Sequence, residues 1–263
     1  MPDTDNLSPP SRRLLMREPR GLLDIPALLM AAPFLARAPR GDKHAVMVLP
    51  GFSADDQSTA AIRQFLRYLN YDVHGWAQGR NIKGSGEYDK ALSQRLQKLF
   101  ERRNAPVSLI GWSRGGILAR ELARNHPDLV RLVITLGSPF QNPLANNVGA
   151  IWRWFNGGET PLVMTNTAQL NEEQRLRLER MRQPLPMPAT AIYTRADGVV
   201  AWRSCLEADS DITENVEVRT THTGLGFHAP ALWVIADRLA RPADSWRPFR
   251  APALLRSFYP RAH

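Results

Sequence analysis

A chain of 263 residues, 43% of them apolar and 22% charged, has the size and composition of one soluble domain with a sizeable core. Its net charge of +9 admits an acidic partner, but the arginines are scattered, and no basic run is interleaved with aromatics as a nucleic-acid groove requires. The single cysteine, Cys205, excludes an intrachain disulfide and a cysteine-based metal cluster.

The opening MPDTDNLSPP is polar and acidic, unlike the basic start of a secretory signal. The longest apolar stretch, Ile25 to Ala36, is broken by Pro26 and Pro33 and is too short to span a bilayer. These features predict a cytoplasmic protein without stable membrane insertion. Residues 1–40 read as an arm packed on the core, with a short helix from Pro26 to Ala32 whose Leu28, Leu29, Phe34 and Leu35 face the body. Arg37 and Arg40 flank that helix and leave peripheral membrane contact open.

The main domain, 41–263, begins with His44 to Leu49, a near-continuous apolar run expected to be a buried parallel strand, which ends in Pro50-Gly51-Phe52-Ser53. A helix follows with Ile62, Phe65, Leu66 and Leu69 at helical spacing, its start capped by Asp55 and Asp56. A short strand, Val73 to Trp76, leads through GRNIKGSG into a helix carrying Leu92, Leu96, Leu99 and Phe100 on one face. The apolar run Val107-Ser108-Leu109-Ile110 drives into Gly111-Trp112-Ser113-Arg114-Gly115, and Ile117 to Ala123 opens the next helix. Strands follow at Leu132 to Leu136, Ala189 to Thr194 and Val216 to Arg219, and a closing helix buries Leu232, Ile235, Ala236 and Leu239. This alternation predicts a mostly parallel, twisted α/β sheet with helices on both faces. The stretch 139–188 breaks the rhythm with an aromatic cluster and a charged helix at Glu172 to Met181, and reads as a cap over the active site.

The G-x-S-x-G pattern places a serine on a tight strand-to-helix turn with its hydroxyl exposed. At Gly111 and Gly115 a Cβ would collide with the neighbouring strand or helix, while Ser113 itself is held in a strained conformation. A serine hydroxyl needs a base, and the base needs an orienting group. Asp197, just past one strand, and His222, just past the next, can meet Ser113 on one rim. His228, near the start of the last helix, competes by periodicity. The oxyanion donors are expected from the backbone N–H groups of Arg114 and Phe52.

The run from PGF through GRN, GWSRGG, RADGVV and HTGLG resembles the small bacterial lipase and esterase branch of the α/β-hydrolase superfamily, over roughly residues 44–239. The resemblance implies the α/β-hydrolase fold, the chain order nucleophile, acid, base, and carboxylic ester hydrolysis without cofactor or metal. It favours His222 over His228, because Thr223-Gly224-Leu225 follows. The expected substrate is a small-molecule or lipid ester, with Trp76, Trp112, Trp152 and Phe155 as pocket residues; His74 shares the rim with Trp76. Two features depart from the family pattern: the longer insertion, and Arg114, whose guanidinium favours an anionic substrate group. Arg80 and Asn81 read as braces for active-site loops, His44 and His126 as strand-edge and loop residues, and Cys205 as a packed side chain. Acyl transfer through the same acyl-enzyme is the alternative chemistry; the non-enzymatic alternative is a silent binding protein on the same fold. An intact triad favours the enzyme.

Overall fold

The computed structural model describes residues 5–149, 171–242 and 245–260. One sheet holds six strands: β1 (Ala45–Leu49), β2 (Asp72–Gly75), β3 (Val107–Trp112), β4 (Val130–Leu136), β5 (Ala189–Tyr193) and β6 (Thr213–Glu217). Their spatial order is β2-β1-β3-β4-β5-β6, and every pairing is parallel. Strands β1, β3 and β5 are buried at every position, because helices cover both faces. The edge strands β2 and β6 break that run with partly exposed residues.

The helices are α1 (Arg12–Leu15), α2 (Asp24–Leu35), α3 (Ala60–Tyr68), α4 (Asp89–Arg103), α5 (Arg114–Asn125), α6 (Glu172–Arg182) and α7 (Ala229–Leu239). Successive strand residues point to opposite faces, so β1 splits its side chains between two cores. Val46 and Val48 pack with Ile62 and Leu66 of α3 and Leu232 and Ile235 of α7. Met47 and Leu49 pack with Leu92 and Leu96 of α4 and Leu118 and Leu122 of α5.

Strand order reverses at β1: the chain leaves it toward β2, then crosses back to β3 on its other side. In open parallel sheets the crevice beyond the carboxyl ends at such a switch point is where ligands bind. Phe52 follows β1 and Ser113 follows β3, so both emerge at that crevice.

The arm helix is longer than the spacing predicts, starting at Asp24 and ending at Leu35. Phe34 stacks on Trp233 of α7 with ring centroids 4.5 Å apart, and Leu28 and Leu35 join the same core. Leu29, expected on the inner side, is 73% exposed. Adjacent helical positions diverge by about 100°, so Leu28 facing inward turns Leu29 to solvent. Residues 150–170 lie outside the described part of the chain, and with them Trp152 and Phe155. The flanks of the 139–188 stretch pack closely: Phe140 is fully buried under Arg120, and the Asn147 side chain donates to the Gly198 carbonyl at 2.8 Å.

Candidate active site

Ser113 occupies φ 53°, ψ −124°, a conformation that side chains rarely adopt and that costs about 1–3 kcal/mol. The turn is held there by its own backbone. Ser113 N–H donates to the Leu136 carbonyl at 2.7 Å, and Gly116 N–H to the Ser113 carbonyl at 3.0 Å. A Cβ on Gly111 would meet the Gly116 backbone at 2.3 Å, and one on Gly115 would meet the Leu49 carbonyl oxygen at 2.3 Å. Both glycines are therefore demanded by close backbone approach, the first to α5 and the second to the end of β1. The first N–H groups of α5 lack helical acceptors and point out of its N-terminus, directly after the serine.

Asp197 and His222 are 2% and 7% exposed. Asp197 Oδ1 accepts from the N–H groups of Val199 and Val200, each at 2.8 Å, and Oδ2 faces His222 Nδ1 at 2.7 Å. Against an ionised carboxylate Nδ1 carries the proton, which leaves Nε2 as the basic nitrogen. Burial alone lowers a histidine pKa. Here the Asp197 charge, its hydrogen bond and the charge of Glu18 outweigh burial and raise it above the ordinary value. The imidazole lies against the end of β4: a Cβ on Gly137 would sit 3.0 Å from His222 Nδ1. The preceding residue, Leu136, is the one that accepts from Ser113 N–H. The two groups thus share the tip of one strand. Among the described residues the Ser113 hydroxyl makes no hydrogen bond.

Glu18 is a site residue that the sequence did not reveal. It sits in a 3-10 turn, Glu18–Leu23, of the arm and is 7% exposed. Its Oε1 accepts from Gly198 N–H at 2.6 Å and His222 N–H at 3.1 Å, and its Oε2 from Thr223 N–H at 2.8 Å. One carboxylate from the arm therefore joins the Asp197 loop to the His222 loop. The arm seals this contact further: a Cβ on Gly198 would strike the Leu14 backbone, and one on Gly21 the Gly224 backbone. No local pattern marks Glu18, because its partners are backbone groups about 180–205 positions away.

The loop after β1 lies beside Ser113, with a Gly51 Cβ position 3.4 Å from Ser113 Cβ. Asn81 ties it down. Its Nδ2 donates to the Pro50 carbonyl at 2.9 Å, and its own carbonyl accepts from Ser53 N–H at 2.9 Å. Arg80 adds a bond to Ser53 Oγ at 2.8 Å. The expectation for the Arg114 side chain is corrected here: its guanidinium is buried, donating to Asn81 Oδ1 at 2.7 Å and to the Lys83 carbonyl, and it lies over the Phe52 ring. With its donors engaged by that loop, it is a brace and not a receptor for an anionic substrate.

One expected pocket residue is also corrected. Trp76 is fully buried, tilted against Tyr88 with its indole N–H on the Gly79 carbonyl, so it presents no face to a ligand. Trp112 is 9% exposed, as Ser113 is, and its indole N–H donates to the His222 carbonyl at 3.2 Å. His228 Nδ1 is buried without a hydrogen-bond partner, and burial lowers its pKa; it does not face Asp197. His74 is directed at Asp72, and His126 at Ser93. His44, expected at a strand edge, is buried between Asp42 and Ser108. Asp55 caps the 3-10 turn leading into α3, whereas Asp56 reaches across to accept from Trp76 and Ala77 N–H groups at the end of β2. Complete burial pushes the Cys205 thiol well up, away from nucleophilic use.

The family profile of the PGAP1-like alpha/beta domain matches residues 51–179. No curated protein sequence matches the chain. Among solved structures, lipase B of Aspergillus fumigatus superposes with a TM-score of 0.56 at 17% identity, over 76% of this chain and 52% of that one. The chain thus spans about half the length of that lipase. The monoacylglycerol lipase of Paleococcus ferrophilus gives 0.52 at 15% identity over 76% and 96% of the two chains. Mouse alpha/beta hydrolase domain-containing protein 10 gives 0.52 at 15% identity over 76% and 90%. With its parallel sheet and its strained serine turn after β3, the chain has the fold of these α/β hydrolases and lipases.

Proposed function

We propose that the chain is a serine hydrolase of hydrophobic carboxylic esters, with Ser113 as nucleophile, His222 as base and Asp197 as its orienting acid. The observation that carries this reading is the buried Asp197–His222 pair at 2.7 Å, beside a serine in a positive-φ strand-to-helix turn. Ser113 Oγ attacks the ester carbonyl carbon while its proton passes to His222 Nε2. The oxyanion is received by backbone N–H groups of Phe52 and Arg114. Collapse of the tetrahedral adduct expels the alcohol, which takes the proton from His222, and leaves Ser113 acylated. Water then attacks the acyl carbon, gives a proton to the same imidazole, and the carboxylic acid departs as Ser113 regains its hydrogen. Asp197 stays ionised and stabilises the imidazolium formed in each half.

Support for an ester substrate comes from the lipase likenesses, and support for an apolar acyl group from the aromatic stretch around Trp152 and Phe155. A fluorophosphonate probe is the direct test: wild-type chain is labelled and Ser113→Ala is not. Unlabelled wild-type protein would overturn the reading. A series of p-nitrophenyl esters of increasing chain length then reports the acyl preference.

A further inference from the structure

The outer face of the arm is chemically unlike the rest of the surface. Helix α2 reads DIPALLMAAPFL and carries one charged residue, Asp24, whose carboxylate accepts from the Thr220 hydroxyl. Opposite the side that packs on α7, Leu29 is 73%, Met30 79% and Ile25 41% exposed. Leu22 and Leu23 in the preceding turn and Met16 after α1 extend the apolar surface, at 52%, 68% and 79%. Isolated exposed leucines are ordinary, but a water-facing helix normally carries polar residues on its outer stripe, and a concentrated apolar patch marks an interaction site.

Charge decides what kind of surface it meets. From residue 12 to residue 40 every exposed charged side chain is an arginine: Arg12, Arg13, Arg20, Arg37 and Arg40. The two acids in that span are engaged internally, Glu18 by backbone N–H groups and Asp24 by Thr220. A second copy meeting this face would bring two sets of arginines together. An anionic lipid surface matches both features at once, with phosphates for the guanidinium groups and the headgroup–acyl boundary for the apolar side chains. The helix is 12 residues long, about 18 Å, and no helix among the described residues is long and apolar enough to cross a membrane. It is suited to lie in the surface plane.

We propose that the outer face of α2 and its preceding turn docks on an anionic lipid surface. Because Glu18 on the inner side of the same arm clasps the loops of Asp197 and His222, docking holds those loops near the lipid surface, where lipid-borne esters are the substrates at hand. That last step rests on the hydrolase reading; the docking does not.

Ser113→Ala full-length chain, mixed with vesicles of phosphatidylcholine alone or with phosphatidylglycerol, separates the two. Co-sedimentation is expected with the anionic vesicles only, and to weaken about tenfold or more in Arg12→Gln/Arg13→Gln/Arg20→Gln and in Leu29→Gln/Met30→Gln. The same substitutions placed in the active chain leave turnover of a soluble short-chain ester within about twofold, since none of these side chains belongs to the triad or its braces. Absence of binding to anionic vesicles, or equal binding to neutral ones that ignores the arginines, overturns the proposal. So does a concentration-dependent dimer in light scattering that Leu29→Gln/Met30→Gln dissolves. Vesicle binding by Ser113→Ala combined with a wild-type chain that fails to react with fluorophosphonate would sink the hydrolase reading and leave docking intact; a labelled wild type without vesicle binding sinks docking alone.

Discussion

On the Ser113 side of the rim, the turn between β3 and α5 is held by neighbours: glycines packed backbone to backbone, and a Leu136 carbonyl one strand away. On the Asp197–His222 side, the loops of these two residues are clasped by Glu18, which lies 180 and 204 positions from the groups it accepts from at Gly198 and His222. The first arrangement is made of main chain and is insensitive to side-chain identity away from its glycines and serine. The second hangs on one ionisable group supplied by the arm. Site geometry on the two sides therefore has different points of failure, and substitutions should tell them apart.

The largest effect belongs to the pair that the proposed chemistry needs on the second side. Asp197→Asn should lower kcat by roughly 10⁴-fold, because the amide no longer fixes the imidazole with its proton on Nδ1. His222→Ala should fall at least as far, whereas His228→Ala should leave p-nitrophenyl ester turnover close to wild type. If the two histidine variants exchanged these results, the assignment of the base would be lost.

On the Ser113 side, Gly115→Ala drives a Cβ into the Leu49 carbonyl at 2.3 Å. The main chain has to move, and thermal unfolding should show a loss of about 1–3 kcal/mol together with reduced labelling of Ser113. A variant as stable and as reactive as wild type would show that this turn is less tightly determined than its backbone contacts indicate.

Glu18→Gln tests the clasp. The amide keeps an acceptor but loses the charge, so stability should fall by about 1–3 kcal/mol and the pH profile should move. In the wild type, Asp197 and Glu18 together raise the His222 pKa above its ordinary 6.5. The proposed base acts as the neutral imidazole, so kcat/KM should decline as pH drops through a value above 6.5. Without the Glu18 charge the protonated ring is less favoured, and this acid limb should shift to lower pH. A purely structural role would change the rate and leave the limb in place.

The smallest effect should come from Phe52→Leu. The proposed donor is the peptide N–H, whose loss would cost about 2.7–4 kcal/mol of transition-state stabilisation, whereas shortening the side chain should change kcat by less than about threefold. A drop on the scale of a lost donor would mean that the ring, lying under the Arg114 guanidinium, sets the position of the loop.

The amino-acid sequence by itself carried the alternation of buried strands and amphipathic helices and the serine turn. Each of these is written in residues close together: apolar spacing at Leu92, Leu96 and Leu99, or small residues flanking one serine. Tertiary structure alone decided the uses of the polar side chains and the outward faces. Glu18 became part of the site, the Arg114 guanidinium was taken up by the loop at Asn81 and Lys83, Trp76 sank into the core, and Leu29 turned to water. The physical reason is that periodicity is a property of neighbours, while a carboxylate finding backbone N–H groups two hundred residues away depends on which loops the folded sheet brings to its rim.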